Sequence, residues 1–151
     1  MSASYVTREN AETLWVVRDR IRFMGDVEGR DLSVLEVAVP PGSGTPPHSH
    51  ESAEIFRVLS GEITFGLFDT TPPRQIVAGP GTVVTIGSHE PHNYVNASGA
   101  PAEMLVVLEQ SMKAFFQDLG RAHEPQMGPP SEAEIGEVMS ACQRHGIDVL
   151  A

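Results

Sequence analysis

Eight short apolar runs, each closed by glycine, proline or another turn residue, fill residues 14–108, and no helical period interrupts them. They lie at 14–24, 32–39, 54–59, 62–68, 74–77, 82–86, 92–96 and 102–108, separated by segments such as Pro40-Pro41-Gly42, Ser60-Gly61 and 69–73. Strands at this spacing predict an all-β sandwich or barrel and argue against a parallel βαβ sheet. In the first run Trp15, Val17, Ile21 and Phe23 alternate with Arg18, Arg20 and Arg22. That period of two reads as one strand, with the arginines on a solvated face, forming a hairpin with 32–39.

Beyond 110 the pattern changes to a helical one. Met112, Phe115, Phe116 and Leu119 recur at helical spacing before Gly120, so residues 111–119 read as a short amphipathic helix. A proline-rich connector follows, and Ser131 with Glu134 then forms a capping box. In the helix that it starts, Ile135, Val138, Met139 and Cys142 mark an apolar face, and Gly146 supplies the stop. Residues 1–151 are therefore read as one domain, with a barrel core at about 14–109 and helices at about 111–147 covering it.

Composition removes several function classes. Ten Lys and Arg face twenty Asp and Glu, giving a formal charge of −10, and Lys113 is the only lysine. Binding a phosphate backbone or an anionic membrane surface takes clustered cations, so neither is expected as a partner. The single cysteine, Cys142, excludes an internal disulfide framework and reads as a buried thiol on the helix face. The first ten residues lack a basic start followed by an apolar run, and no stretch reaches a membrane-spanning length, so the expectation is a soluble cytoplasmic protein.

Four of the six histidines fall between positions 48 and 92. His48 and His50 project from one face of an extended segment, and Glu54 shares their parity. A later strand opening at His92 can supply a third imidazole. Glu54 also heads a strand whose same-parity neighbours are Phe56 and Val58, an apolar interior where an unpaired carboxylate is costly and a bound cation removes the cost. Three imidazoles and a carboxylate favour a first-row transition ion over calcium or magnesium. The plainer reading is that the histidines hydrogen-bond within a polar barrel mouth without metal.

These residues resemble the two motifs of the cupin family. Gly42, His48, His50, Glu54 and Gly61 fit the first, and Gly81, His92 and Asn96 fit the second, which here departs at Gly87, where proline is usual, and at His89, where glycine is usual. The resemblance implies a cupin-type jelly-roll β-barrel with short C-terminal helices packed against it. It also implies His48, His50, Glu54 and His92 as ligands of one divalent transition ion per chain: iron, nickel, manganese, copper, cobalt or zinc. A homodimer is implied too, and Ile55 and Leu59, outward-facing on a strand with an apolar inner face, are consistent with a covered surface.

A metal site with open positions can chelate a small molecule with vicinal oxygens, and Glu54 could leave the ion to act as catalytic base. The ligand motif is similar to that of quercetinase-like dioxygenases, which implies a dioxygenase-like oxidoreductase acting on a small aromatic or enolic metabolite. The alternatives are a metal-dependent isomerase, cyclase or lyase working without O₂, and a non-catalytic small-molecule binding module. Phe56, Val58 and Phe65 are core residues by parity and candidates for the pocket wall. Tyr94, on the ligand face, is a candidate hydrogen-bonding group for substrate; His89 is a turn residue or a pocket residue.

Overall fold

The computed structural model describes residues 3–150; Met1, Ser2 and Ala151, included in the span read as one domain, lie outside the described residues. The strands in chain order are β1 (Glu12–Val16), β2 (Asp19–Asp26), β3 (Ser33–Val39), β4 (His48–Ser49), β5 (Glu54–Ser60), β6 (Ile63–Leu67), β7 (Arg74–Ala78), β8 (Val83–Ile86), β9 (His92–Val95) and β10 (Ala102–Leu108). Helices α1 (Gln110–Leu119) and α2 (Glu132–Arg144) follow, and β11 (Asp148–Val149) ends the chain. The strands form two antiparallel sheets, a six-stranded one ordered β1-β2-β3-β10-β5-β8 and a five-stranded one ordered β11-β4-β9-β6-β7. This is the all-β jelly roll that the sequence predicts, left open because no ladder joins the two sheets among the described residues.

Alternation decides which side chains meet between the sheets. β10 buries Ala102, Met104, Val106 and Leu108 at 1–2% exposure, opposite Phe65 and Ile63 of β6 at 0%. Each of these side chains larger than Ala102 contributes about 1.5–3 kcal/mol by leaving water. Arg20, Arg22, Glu36 and Glu103 sit on the outer face of the six-stranded sheet, where Arg20 pairs with Glu103 at 3.2 Å and Arg22 lies 3.9 Å from Glu36.

The reading of 14–24 as one strand is corrected. Val17 adopts φ +57, and a turn at Val17-Arg18 folds β1 back on β2, so that Leu14 pairs with Ile21 and Trp15 with Arg20. Partners in an antiparallel pair share a face. Leu14 and Val16 therefore pack on the core, and Trp15 stands on the arginine side. Arg18, displaced from the strand, instead makes a two-pronged contact with Glu134 of α2, at 2.7 and 3.0 Å, and donates to the Gly128 and Pro129 carbonyls.

Both helices form where the sequence places them. Ser131 Oγ accepts from the Glu134 amide, and the Glu134 carboxylate accepts from the Ser131 amide, completing the capping box. The apolar face of α2 is narrower than expected. Val138, Ala141 and Cys142 pack inward, whereas Ile135 and Met139 are half exposed, because a helix crossing a sheet end seats one stripe and leaves its flank in water. No helix among the described residues is long and apolar enough to cross a membrane.

Candidate metal centre

His48, His50, Glu54 and His92 come together between the sheets at one end of the sandwich. β4 carries His48, and His50 follows it directly; β9 opens at His92, which is the cross-strand partner of His48. Three imidazoles thus come from the five-stranded sheet, and Glu54, first residue of β5, reaches them from the six-stranded sheet. Their donor atoms all lie within 4.8 Å of one another, and the imidazole centroids are 4.4, 5.1 and 5.3 Å apart. His50, Glu54 and His92 are buried, and His48 is half-buried. At the opposite end of β5 from Glu54, Gly61 adopts φ +72, and a Cβ there would meet the Pro101 carbonyl oxygen at 2.5 Å.

The hydrogen bonds decide what the rings can bind. His48 Nδ1 lies 2.8 Å from the Pro46 carbonyl, His50 Nδ1 2.8 Å from that of Ser52, and His92 Nδ1 2.8 Å from that of Glu90. A carbonyl only accepts, so each Nδ1 carries the proton and each Nε2 of a neutral ring presents a lone pair. His50 Nε2, buried and without an aligned hydrogen bond, stands 2.8 Å from Glu54 Oε1, and His92 Nε2 stands 3.2 Å from the same oxygen. Lone pairs and a carboxylate oxygen at these separations repel unless a cation lies among them. Bonds of about 2.0–2.2 Å to one ion place adjacent donors about 3 Å apart, which His50 and His92 match against Glu54.

The group favours positive charge beside Glu54. Burial raises the Glu54 carboxyl, but hydrogen bonds from the His50 and His92 rings outweigh it and hold the group at about 2, and the same carboxylate raises His50 against its own burial. Burial lowers His48 to about 4, which keeps its imidazole neutral near pH 7. The residues therefore fit one first-row transition ion.

The cupin domain family model matches residues 35–108, the span from β3 to β10 that contains all four of these side chains. The chain carries a cupin domain. No curated protein matches it in sequence. An RmlC-like cupin from Shewanella frigidimarina superposes with a TM-score of 0.64 at 15% identity, covering 76% of this chain and 96% of that one. The polyketide cyclase RemF from Streptomyces resistomycificus gives 0.60 at 24% identity, over 93% and 99% of the two chains. Hydroxypropylphosphonic acid epoxidase from S. wedmorenis gives 0.59 at 20% identity over 70% of this chain, which spans 58% of that longer protein. At these identities the likeness shows the fold, and one fold hosts many activities.

A cavity of about 90 Å³ adjoins the cupin site, bordered by His48, Glu54 and His92. Phe56 and Tyr94 line it, whereas Val58, Phe65 and His89 do not. Val58 and Phe65 are packed in the core at 1% and 0% exposure. His89 is exposed, sits at φ +62 in the turn before β9, and donates its amide to the His50 carbonyl at 2.7 Å. Asn96 is a buried strand-end residue, donating to the Val39 and Ala100 carbonyls and accepting from Ser98.

Two groups of residues escaped the sequence reading. Asp19 is buried, accepts from Ser43 Oγ at 2.6 Å and from the Tyr94 hydroxyl, and is pushed up to about 6 by burial against those two donors. Its odd position within the first run was the available signal. The other group is the apolar wall contributed by α1, α2 and the last strand, read from the sequence only as a cover over the barrel.

Proposed function

We propose that the protein is a metal-dependent, dioxygenase-like enzyme that acts on a small aromatic or enolic oxygenated metabolite. His48, His50, Glu54 and His92 hold one divalent ion, whether iron, nickel, manganese, copper, cobalt or zinc. The observation that carries this reading is the set of three Nδ1–carbonyl bonds, which turn three Nε2 lone pairs toward one buried carboxylate beside a cavity. When bound, a redox-active ion supplies electron transfer to dioxygen and polarisation of the chelated oxygens.

The chain's own residues do the rest. The backbone carbonyls of Pro46, Ser52 and Glu90 hold the rings in one tautomer and one orientation. Phe56 and the helices exclude water from the reacting face. Glu54, ionised throughout the neutral range, is placed to accept a proton from a hydroxyl or an acidic carbon of the substrate. That same carboxylate supports a second reading, isomerase, cyclase or lyase chemistry without O₂, because proton transfer at Glu54 needs no oxidant.

The reading includes a cytoplasmic homodimer. Its support is the outer face of β5 and the edge strand β8, where Ile55 and Val83 are 44% and 51% exposed.

The test is elemental analysis of chelator-free protein beside His92→Ala and Glu54→Ala, followed by oxygen uptake and anaerobic turnover with catechols, flavonols and diketones. About one metal ion per chain, lost in both variants, with oxygen consumed only when substrate is present, is the expected result. Anaerobic turnover on zinc would replace oxygenase with Lewis-acid chemistry, saturable binding without product would leave a binding module, and no metal in any sample would remove the reading.

A further inference from the structure

The cavity beside the metal site has two kinds of wall. One is the cupin barrel itself. The other is the C-terminal segment, from which Met112, Phe115, Phe116, Val138, Cys142 and Ile147 reach the cavity, and it lies wholly outside residues 35–108.

Apart from the His48, Glu54 and His92 side chains, the lining is almost entirely hydrocarbon. Among the described residues no lysine or arginine borders the cavity, and Glu54 contributes an anion. A carboxylate or phosphate entering there would shed its water and find no cation beyond the metal ion, a loss of several kcal/mol for each unpaired charge. A sugar would leave several hydroxyls without partners, because among the described residues Thr45 and Tyr94 bring the only hydroxyl groups to the lining and that of Tyr94 is already engaged by Asp19.

Size sets a second limit. An apolar cavity of about 150 Å³ holds benzene. At about 90 Å³ the cavity admits one ring only if a wall gives slightly, and two fused rings only if a wall moves aside. Most barrel strands are held by longer ladders, whereas α1 and α2 are held by side-chain packing, by single ties such as Lys113–Asp26 and Arg18–Glu134, and at their ends by the isolated Trp15–Arg121 bridge and the two-residue β11 ladder. The wall that yields is therefore helical.

We propose that the C-terminal segment selects the ligand of this site, and that it selects an uncharged, mainly apolar molecule of about one ring that meets the metal through oxygens at one end. This rests on the metal-site reading above and adds the ligand class and the residues that set it.

The test uses the full chain loaded with cobalt(II), titrated by calorimetry and visible absorption with catechol, oxalate and 2,3-dihydroxynaphthalene. Catechol is expected to bind about tenfold or more tightly than either of the others, a difference of about 1.4 kcal/mol. Phe116→Ala is expected to raise the ratio of dihydroxynaphthalene to catechol affinity at least about fivefold, since it removes wall and not ligand contacts to the ion. Should that variant not fold, Val138→Ala, half-buried on the other helix, carries the same expectation. Oxalate binding as tightly as catechol, or a ratio between the two diols that neither variant changes, would overturn the proposal with cobalt still bound. Failure to bind cobalt would overturn it together with the metal-site reading.

Discussion

Val149 pairs with His48 across the short ladder between β11 and β4, and the Leu150 amide donates to the Pro47 carbonyl at 2.9 Å. The end of the chain is thus hydrogen-bonded to the strand that presents two of the four candidate ligands. The same segment continues back through Ile147 into the cavity wall. A displacement of the wall is in this way coupled to the position of the His48 ring, whose other tie is Nδ1 to Pro46.

Leu150→Pro should therefore weaken metal binding without unfolding the barrel. Proline removes the amide that Leu150 donates to the Pro47 carbonyl and restricts Val149 before it. Loss of a support that orients a ligand costs about 10–100-fold in metal affinity, and the low end is expected because Pro46 still holds the ring. Competition with a chromophoric chelator, with circular dichroism as control, measures it; unchanged affinity would mean that β11 does not position His48.

His89→Gly should stabilise the protein. His89 holds φ +62 where the cupin motif has glycine, a conformation that carries strain of about 1–3 kcal/mol for a residue with a Cβ. Its side chain is exposed, and its amide bond to the His50 carbonyl survives the change. Glycine's greater freedom in the unfolded chain offsets part of the gain, leaving about 1 kcal/mol, or about 2–4 °C in Tm. A lower melting temperature would show that the His89 ring contributes more than its backbone costs.

Only part of the candidate ligand group was readable from local geometry, because Glu54 and His92 stand on other strands, Glu54 on the other sheet. His48 and His50 need only strand parity, and Glu54 heads a run whose alternation with Phe56 and Val58 survives intact as β5. The first run misled because a two-residue turn at Val17-Arg18 leaves the hydrophobic alternation looking continuous while reversing the chain, so Trp15 moved to the arginine face. The cavity wall was not readable either: the pattern of α1 shows an apolar face but not what it covers, and β11 has only two residues. Val58 and Phe65 show the same limit within the barrel, where parity turns a side chain inward but does not say whether it meets a cavity or other side chains.

Asp19 should make stability depend on pH. Its folded value of about 6 lies above the ordinary value of 3.8, because burial outweighs the bonds from Ser43 and Tyr94. Between those values the folded state binds the extra proton, so stability falls as pH rises from about 4 to about 6 and stays reduced above that. A shift of about two units corresponds to about 3 kcal/mol at neutral pH. Asp19→Asn removes this titration, so the stability of the variant minus that of the wild type should grow by about that amount from pH 4 to pH 7 in urea melts. A difference that stays flat with pH would show that Asp19 is not held above its ordinary value.

Ile55→Asp should separate the proposed dimer. Ile55 lies opposite Thr85 in the β5–β8 ladder, on the face turned away from the core, and Val83 stands opposite Arg57 on the same face. Among the described residues β8 is an unpaired edge of its sheet, so a second copy laid there would cover both apolar side chains and occupy unpaired backbone groups together. A carboxylate at position 55 would be desolvated in that contact but is harmless on an exposed strand face. Sedimentation or size-exclusion with light scattering should show a dimer in the wild type and a monomer in the variant. The far-ultraviolet spectrum should be unchanged, and the melting temperature should lose its dependence on protein concentration. A wild type that is monomeric at all concentrations, or a variant that remains dimeric, would place the subunit contact elsewhere or remove it.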